Sequence, residues 1–251
     1  MKRIFKLSLV LICVLTFSFS AVCDEVKVEE IIDKIENLYD IDSSSGILKQ
    51  TIKTTKNEER AFEILMFSKD GTDKQYMEFL SPSRVKGIKF LYLNDGKDIW
   101  TFFPRTGRMR KLASHHKKKK VMGSEFTYED MTFGNLKEKY TFKLLKEEKF
   151  EKEDCWVIEM IPTEKGPSYK KQIMWVRQLD YYPVKIEFYD DELLKTLYQR
   201  DIKTVQGIPT AFTIVMITAE TKSETKMELI KFKYHVELED NIFTTQYLKR
   251  E

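Results

Sequence analysis

From about residue 45 onward the chain runs in short segments of period-two apolar/polar alternation, separated by turn signals. "GILKQTIKT" leads to "ERAFEILMFSK", which stops at "KDG" and is followed by "KQYMEFL". "GIKFLYL" meets "DIWTFF" across "NDGK", a strong hairpin signal, and "PRTG" turns the chain into "RMRKL". After an interruption the rhythm resumes with "YTFKLLKEEKF", "CWVIEMI", "SYKKQIMWVRQ", "PVKIEFYD", "LLKTLYQRDI", "PTAFTIVMITAE" and "TKMELIKFKYHVE". The pattern predicts roughly eleven to thirteen strands, nearly all joined by turns too short for a parallel crossover. The expected fold class is mainly β: a single large antiparallel sheet in sequential order, curled or barrel-like because an open sheet of that size twists on itself.

Residues 24–39 break the alternation with helical spacing. Val28, Ile31, Ile32, Ile35, Leu38 and Tyr39 form one stripe, and Glu29, Glu30, Asp33, Lys34 and Glu36 fill the other side. An amphipathic helix packed on the sheet is expected. No linker, fixed-period repeat or composition shift divides the rest, so residues 24–251 are expected to form one domain.

Three strands depart from strict alternation. "FEILMF", "IKFLYL" and "FTIVMI" carry large apolar side chains at consecutive positions, which predicts shielding of both sheet faces. A filled core and a lipid-sized cavity both satisfy that pattern. Ten Met and seventeen Phe fit an adaptable apolar pocket, and composition decides no further.

The interruption itself, "VMGSEFTYEDMTFGN" at 121–135, is rich in Met, Phe and Tyr and carries three acids. Met122, Phe126 and Phe133 are spaced for one side of a short helix, with Ser124 as N-cap. We read it as a short helical cover over the mouth of the barrel, either a moving gate or a fixed plug. Its acids Glu125, Glu129 and Asp130 are expected to face solvent or pair with basic strands.

The N-terminal "MKRIFKLSLVLICVLTFSFSAVC" has the anatomy of a secretory signal over 1–23. Lys2, Arg3 and Lys6 form a positive head, an apolar stretch follows, and cleavage fits after Ser20 or after Cys23. Val22 before Cys23 argues against a lipoprotein box, with lipidation of Cys23 kept as the second reading. The chain has 43 basic and 40 acidic residues, and the signal removes three basic ones, which leaves charge balance and no basis for a nucleic-acid role. Only Cys155 is sure to remain, so no internal disulfide framework is expected.

Catalytic signatures are missing. The sequence holds no HExxH, GxSxG, GxGxxG or phosphate-loop motif. His115 and His116 are adjacent and make a poor joint metal site, and Cys155 on a strand reads as a small buried hydrophobe. A general acid–base pair among Glu125, Glu129 and Asp130 is the weakest reading, since no other feature brings a substrate to them. We expect no enzyme, no cofactor and no metal. The run Lys117–Lys120 is either a solvated loop or a transient contact for anionic membrane surfaces.

The order of motifs resembles the LolA-like outer-membrane lipoprotein-sorting proteins. "GILKQTIKT" is similar to their G-x-F-x-Q opening, with Leu48 where Phe is usual. "WTFFPRTGRMRKL", "GSEFTYEDM", "WVRQLDYYPVKIEFYDD" and "LEDNIFTTQYL" follow in the same order over almost the whole chain. The resemblance implies a half-open antiparallel β-barrel with helices over its mouth. It also implies a periplasmic carrier that shelters the acyl chains of a lipoprotein or lipid between inner and outer membranes, served by an inner-membrane transporter or outer-membrane acceptor.

Candidate lipid contacts, chosen at apolar strand centres and in the cover, are Ile64, Met66, Phe90, Tyr92, Trp100, Phe102, Met122, Phe126, Trp175, Phe212 and Ile214. The alternative function is a cell-envelope adaptor with a filled core that partners an inner-membrane transporter.

Overall fold

The computed structural model describes residues 26–56, 58–132, 134–164 and 168–250. The signal segment 1–23 and Phe133 lie outside the described residues. Helix α1 spans 26–39, and the stripe read from its sequence is the buried one: Val28, Ile31, Ile32 and Ile35 are at most 2 % exposed.

Among the described residues, thirteen strands follow in a single sheet. The first half contains β1 (Ser43–Lys53), β2 (Glu59–Lys69), β3 (Lys74–Ser81), β4 (Lys89–Leu93), β5 (Asp98–Phe103) and β6 (Arg108–Lys111). The second contains β7 (Tyr140–Phe150), β8 (Glu153–Pro162), β9 (Lys171–Arg177), β10 (Pro183–Tyr189), β11 (Leu193–Val205), β12 (Ile208–Thr218) and β13 (Glu224–Tyr234). Within each half, neighbours in sequence pair antiparallel, as the short turns require.

The sequential order fails at one place. β6 and β7 do not pair; they are the two free edges, and the halves are joined by β1 against β13, from Ser44↔Tyr234 to Lys53↔Glu224. The barrel is therefore half open, with its seam between β6 and β7. Both edges are guarded against further pairing: β6 is four residues long and reads Arg-Met-Arg-Lys, and β7 carries a register shift between Leu144 and Lys146.

One cluster of buried side chains shows how far the sheet curls. It joins Ile99 of β5 to Ile158 and Met160 of β8 through α1, Val121, Phe126 and Leu136. A flat sheet would hold β5 and β8 roughly 48 Å apart at about 4.8 Å per strand step. The 28 residues 112–139 link the free edge strands, so the chain between β6 and β7 is bound to cross the seam, and its apolar residues fill the interior. No helix among the described residues is long and apolar enough to cross a membrane.

Apolar residues on the opposite sheet face are covered in two patches. Tyr76, Leu91 and Phe102 lie under Phe243 and Leu248 from the C-terminal segment, which ends in helix α3 (Thr245–Leu248). Cys155, Val157, Trp175 and Val184 form the other patch. This explains why "IKFLYL" carries large apolar side chains at consecutive positions: Phe90 and Tyr92 face the interior, and Leu91 faces the C-terminal segment. The buried ammonium of Lys89 donates to the Arg250 carbonyl and helps hold that segment. Leu248 is fully buried. Its replacement by Ala is expected to cost about 2–5 kcal/mol in urea unfolding, the usual range for a buried Leu→Ala change.

Candidate functional site

The segment over the seam is built from a tight turn and short helical pieces. Ser124 N–H donates to the Val121 carbonyl at 2.8 Å, with Met122 at φ 50° and Gly123 at φ 77° between them. Two left-handed central residues define a type I′ turn, and Lys120 and Thr127 bridge behind it. The helix expected to start at Ser124 as N-cap is thus absent over 122–128. Ser124 instead uses its hydroxyl on the Phe126 backbone at 3.2 Å, the local bonding by which Ser competes with helix. The helical part of the cover falls later, at the 3-10 turn Glu129–Met131 and at helix α2 (Leu136–Lys139).

The acids of this segment are its anchors. Glu125 is buried, paired with Lys120 at 2.5 Å, and accepts from the Thr218 hydroxyl, while its N–H donates to Thr225 Oγ1 at 2.8 Å. Burial opposes its ionisation, but hydrogen bonds from Lys120, Thr218 and Ser223 hold the carboxyl below its ordinary value of 4.5. Asp130 forms a buried ion pair with Lys195 of β11 and accepts from Tyr169 Oη at 2.7 Å and Thr127 N at 2.5 Å. Glu129 accepts from Ser168 Oγ at 2.5 Å. The expected pairing with a basic strand holds for Asp130; the solvent-facing alternative does not hold for Glu125, because strand hydroxyls and Lys120 compensate its charge inside.

A carboxylate with a lowered folded pKa stabilises above the unfolded value and loses that contribution as pH falls through the folded one. Stability of the cover is therefore expected to drop below about pH 4.5. In Glu125→Gln that part of the acid sensitivity disappears; urea midpoints of both proteins at pH 7 and pH 3 would be compared.

Beneath the segment is a cavity of about 340 Å³. Its inner wall is apolar: Phe126 and Met131 from the cover, Ile186, Leu197 and Ile214 from β10–β12, and Met227 and Leu229 from β13. The β1 and β2 residues Leu48 and Met66 complete it. Polar groups gather toward the junction of α1 with β1 and the β2–β3 hairpin, which are tied by Gly71 N–H to the Ile41 carbonyl at 2.9 Å. A smaller cavity of about 70 Å³ lies across Phe126 and Asp130, which line both. The cover also packs closely on the first half of the sheet. A Cβ at Gly134 would stand 2.6 Å from Thr72 Oγ1, and one at Gly96 would collide with Thr132.

Of the eleven candidate contacts, Met66, Phe126 and Ile214 line the main cavity. Ile64, Phe90 and Tyr92 are buried in the interior cluster, and Met122 packs on its edge from the turn. Trp100 and Phe102 belong to the outer patch under the C-terminal segment, and Trp175 to the second outer patch. Phe212 carries Lys203 over its ring at 4.5 Å. Leu197, Met227 and Leu229 also line the cavity and are not among the residues expected from the sequence. The alternation of Met227 and Leu229 was visible, but nothing in the strand told which face turns inward.

Among the described residues no group of three His, Cys, Asp or Glu side chains is placed to hold a metal ion. Cys155 is buried, and burial raises its thiol to about 11, which opposes nucleophilic use.

Comparison with known proteins fits this architecture. A family model described only as that of an uncharacterized protein matches residues 71–250. A domain from Vibrio parahaemolyticus, provisionally described as an outer membrane lipoprotein-sorting protein, is 30% identical with a TM-score of 0.82, covering 92% of this chain and 100% of that one. A DUF1329 family protein from Desulfovibrio piger (24% identity, TM-score 0.84, 90% and 99% covered) shares the fold. So does a LolA superfamily protein from Nitrosomonas europaea (23% identity, TM-score 0.73, 87% and 98% covered). A search of curated proteins finds no match. With a family model over most of its length and 30% identity across the whole of the Vibrio domain, the chain belongs to the LolA-like family of outer-membrane lipoprotein-sorting proteins.

Proposed function

We propose that the protein is a periplasmic carrier that holds the acyl chains of a lipoprotein or lipid in the main cavity and moves them between inner and outer membranes. The observation that carries this reading is an apolar cavity of about 340 Å³ roofed by Phe126 and Met131. That volume falls at the lower end of the roughly 300–1,000 Å³ usual for ligand pockets. Each methylene moved from water into such a wall contributes about 0.8 kcal/mol, so affinity comes from area and needs no reacting group. The carrier reading accordingly assigns no chemistry to the cargo.

Mass spectrometry of organic extracts from the gently purified protein tests it. Stoichiometric acyl lipid is expected, together with displacement of bound N-phenyl-1-naphthylamine by added lipid. A clean extract with no displacement defeats the carrier reading. It would leave the adaptor alternative, for which the exposed Arg108, Arg110 and Lys111 of β6 and the neighbouring Lys119 and Lys120 offer a contact surface.

A further inference from the structure

The polar part of the cavity is unusual in what it lacks. Among the described residues Asp130 is the one charged residue in its lining, and its charge is compensated by Lys195. No described Lys, Arg or His lines it. The remaining polar side chains are hydroxyls and amides; most of the hydroxyl hydrogens are committed inside the protein, and each of the amides Gln75 and Gln199 commits one of its two.

The commitments can be followed one by one. Tyr182 Oη donates to Gln199 Oε1 at 3.1 Å, and Gln199 Nε2 donates to the Pro183 carbonyl at 2.8 Å. Thr210 Oγ1 donates to the Ile208 carbonyl at 3.1 Å, which leaves Tyr234 Oη as the donor in their 2.9 Å contact. Ser68 Oγ donates to the Gly71 carbonyl and Thr72 Oγ1 to Asp95. A hydroxyl has one hydrogen and two lone pairs, so these hydroxyls keep acceptor capacity after the hydrogen is used, although Tyr182 Oη already accepts from Ala211 N–H and the Gln199 amide keeps a second N–H hydrogen.

The rim adds to the same bias. Asp40 and Asp42 are exposed where α1 meets β1, with His235 Nδ1 3.9 Å from Asp42, while Asp70 of the β2–β3 hairpin is neutralised by a lysine. The lysines beside them are engaged: Lys69 with Asp240 at 2.8 Å and Lys74 with Asp70 at 2.6 Å. An anionic head at this end of the cavity lies near acids and finds no cation among the described lining residues. Burying a charge without a partner is costly, whereas a hydroxyl or amide N–H is met by acceptors on the wall.

We propose that the cavity selects cargo whose head region is uncharged and donates hydrogen bonds, such as the free hydroxyls of an acylglycerol, and discriminates against phosphate and carboxylate heads. This rests on the carrier reading and adds the chemical class of the cargo. Specificity of this kind comes from the mismatch imposed on the wrong head as much as from contacts to the right one.

The test uses two lipids that share an oleoyl-glycerol body and differ by one phosphate: monoolein and 1-oleoyl-lysophosphatidate. Each is delivered from cyclodextrin to the purified protein loaded with the uncharged probe N-phenyl-1-naphthylamine, with methyl oleate as the arm that lacks a donor. Half-displacement by monoolein is expected at a concentration at least about tenfold below that of lysophosphatidate, and below that of methyl oleate. Equal potency of monoolein and either of the others, or a preference for the phosphate, overturns the selection while leaving the carrier reading in place. If no lipid displaces the probe, the carrier reading falls and this proposal with it.

Discussion

Replacing Lys195 by Met is expected to lower the stability of the folded chain by about 3–5 kcal/mol, the range for removing one partner of a buried ion pair. The side chains of Lys195 and Asp130 are 7% and 3% exposed, so little solvent is available to take over from the missing ammonium. Asp130 would keep its bonds from Tyr169 and Thr127, which favours the lower part of that range. Burial already pushes the Lys195 ammonium below its ordinary value against the pull of Asp130, a sign that desolvation is the larger influence on that group.

Two consequences separate this from a loss of packing. Lys195→Met combined with Asp130→Asn should recover part of the stability, because the amide leaves no charge uncompensated while its oxygen can still accept from Tyr169 or Thr127. Since the pair ties the cover to β11, the single variant should also raise hydrogen exchange at 125–132 more than in the C-terminal segment. Urea unfolding that differs from the parent by less than about 1 kcal/mol would mean that the Asp130–Lys195 pair does not seat the cover.

The second large effect concerns binding. Ile214→Trp is expected to reduce co-purified lipid and probe uptake at least about tenfold, with a much smaller change in stability. Ile214 sits on β12 between Gln199 and Met227 in register, and its side chain borders the empty volume, so the added indole has somewhere to go. Thr213→Trp, one position along, projects from the opposite sheet face and serves as the control that keeps full uptake. Full lipid content in Ile214→Trp would place the cargo elsewhere.

Much of this architecture was legible in the order of residues. Strand count, antiparallel pairing, the buried stripe of α1 and the family resemblance all follow from local information: period, turn chemistry and motif order. Even Cys155 as an inert buried residue came from its place in an alternating run. The cover was placed in the right stretch but given the wrong local form. Helical spacing of Met122 and Phe126 lost to Gly123 and to Ser124, whose short-range bonds favour a turn over a helix nucleus.

The candidate contacts divide along the same line. Met66, Phe126 and Ile214 reached the cavity, while Trp100, Phe102 and Trp175, equally apolar and equally central in their strands, lie on the other face. Period two states that neighbours face opposite ways, and a one-residue change of phase exchanges every inward residue for an outward one. Phase is set by what each face packs against, and the C-terminal segment that covers Leu91 and Phe102 lies far along the chain from them.

The sequence by itself determined a large antiparallel sheet, an amphipathic N-terminal helix and an aromatic interruption between two runs of strands, because each depends on interactions within a few residues. The tertiary structure alone decided that β1 pairs with β13, that the seam falls between β6 and β7, and that the link between them is driven through the interior. Those are contacts between residues up to 190 positions apart, such as Ser44 and Tyr234, whose formation depends on the closure of the whole sheet. The cavity and its largely apolar lining exist only once that closure has brought β1–β3 and β10–β13 round the same space.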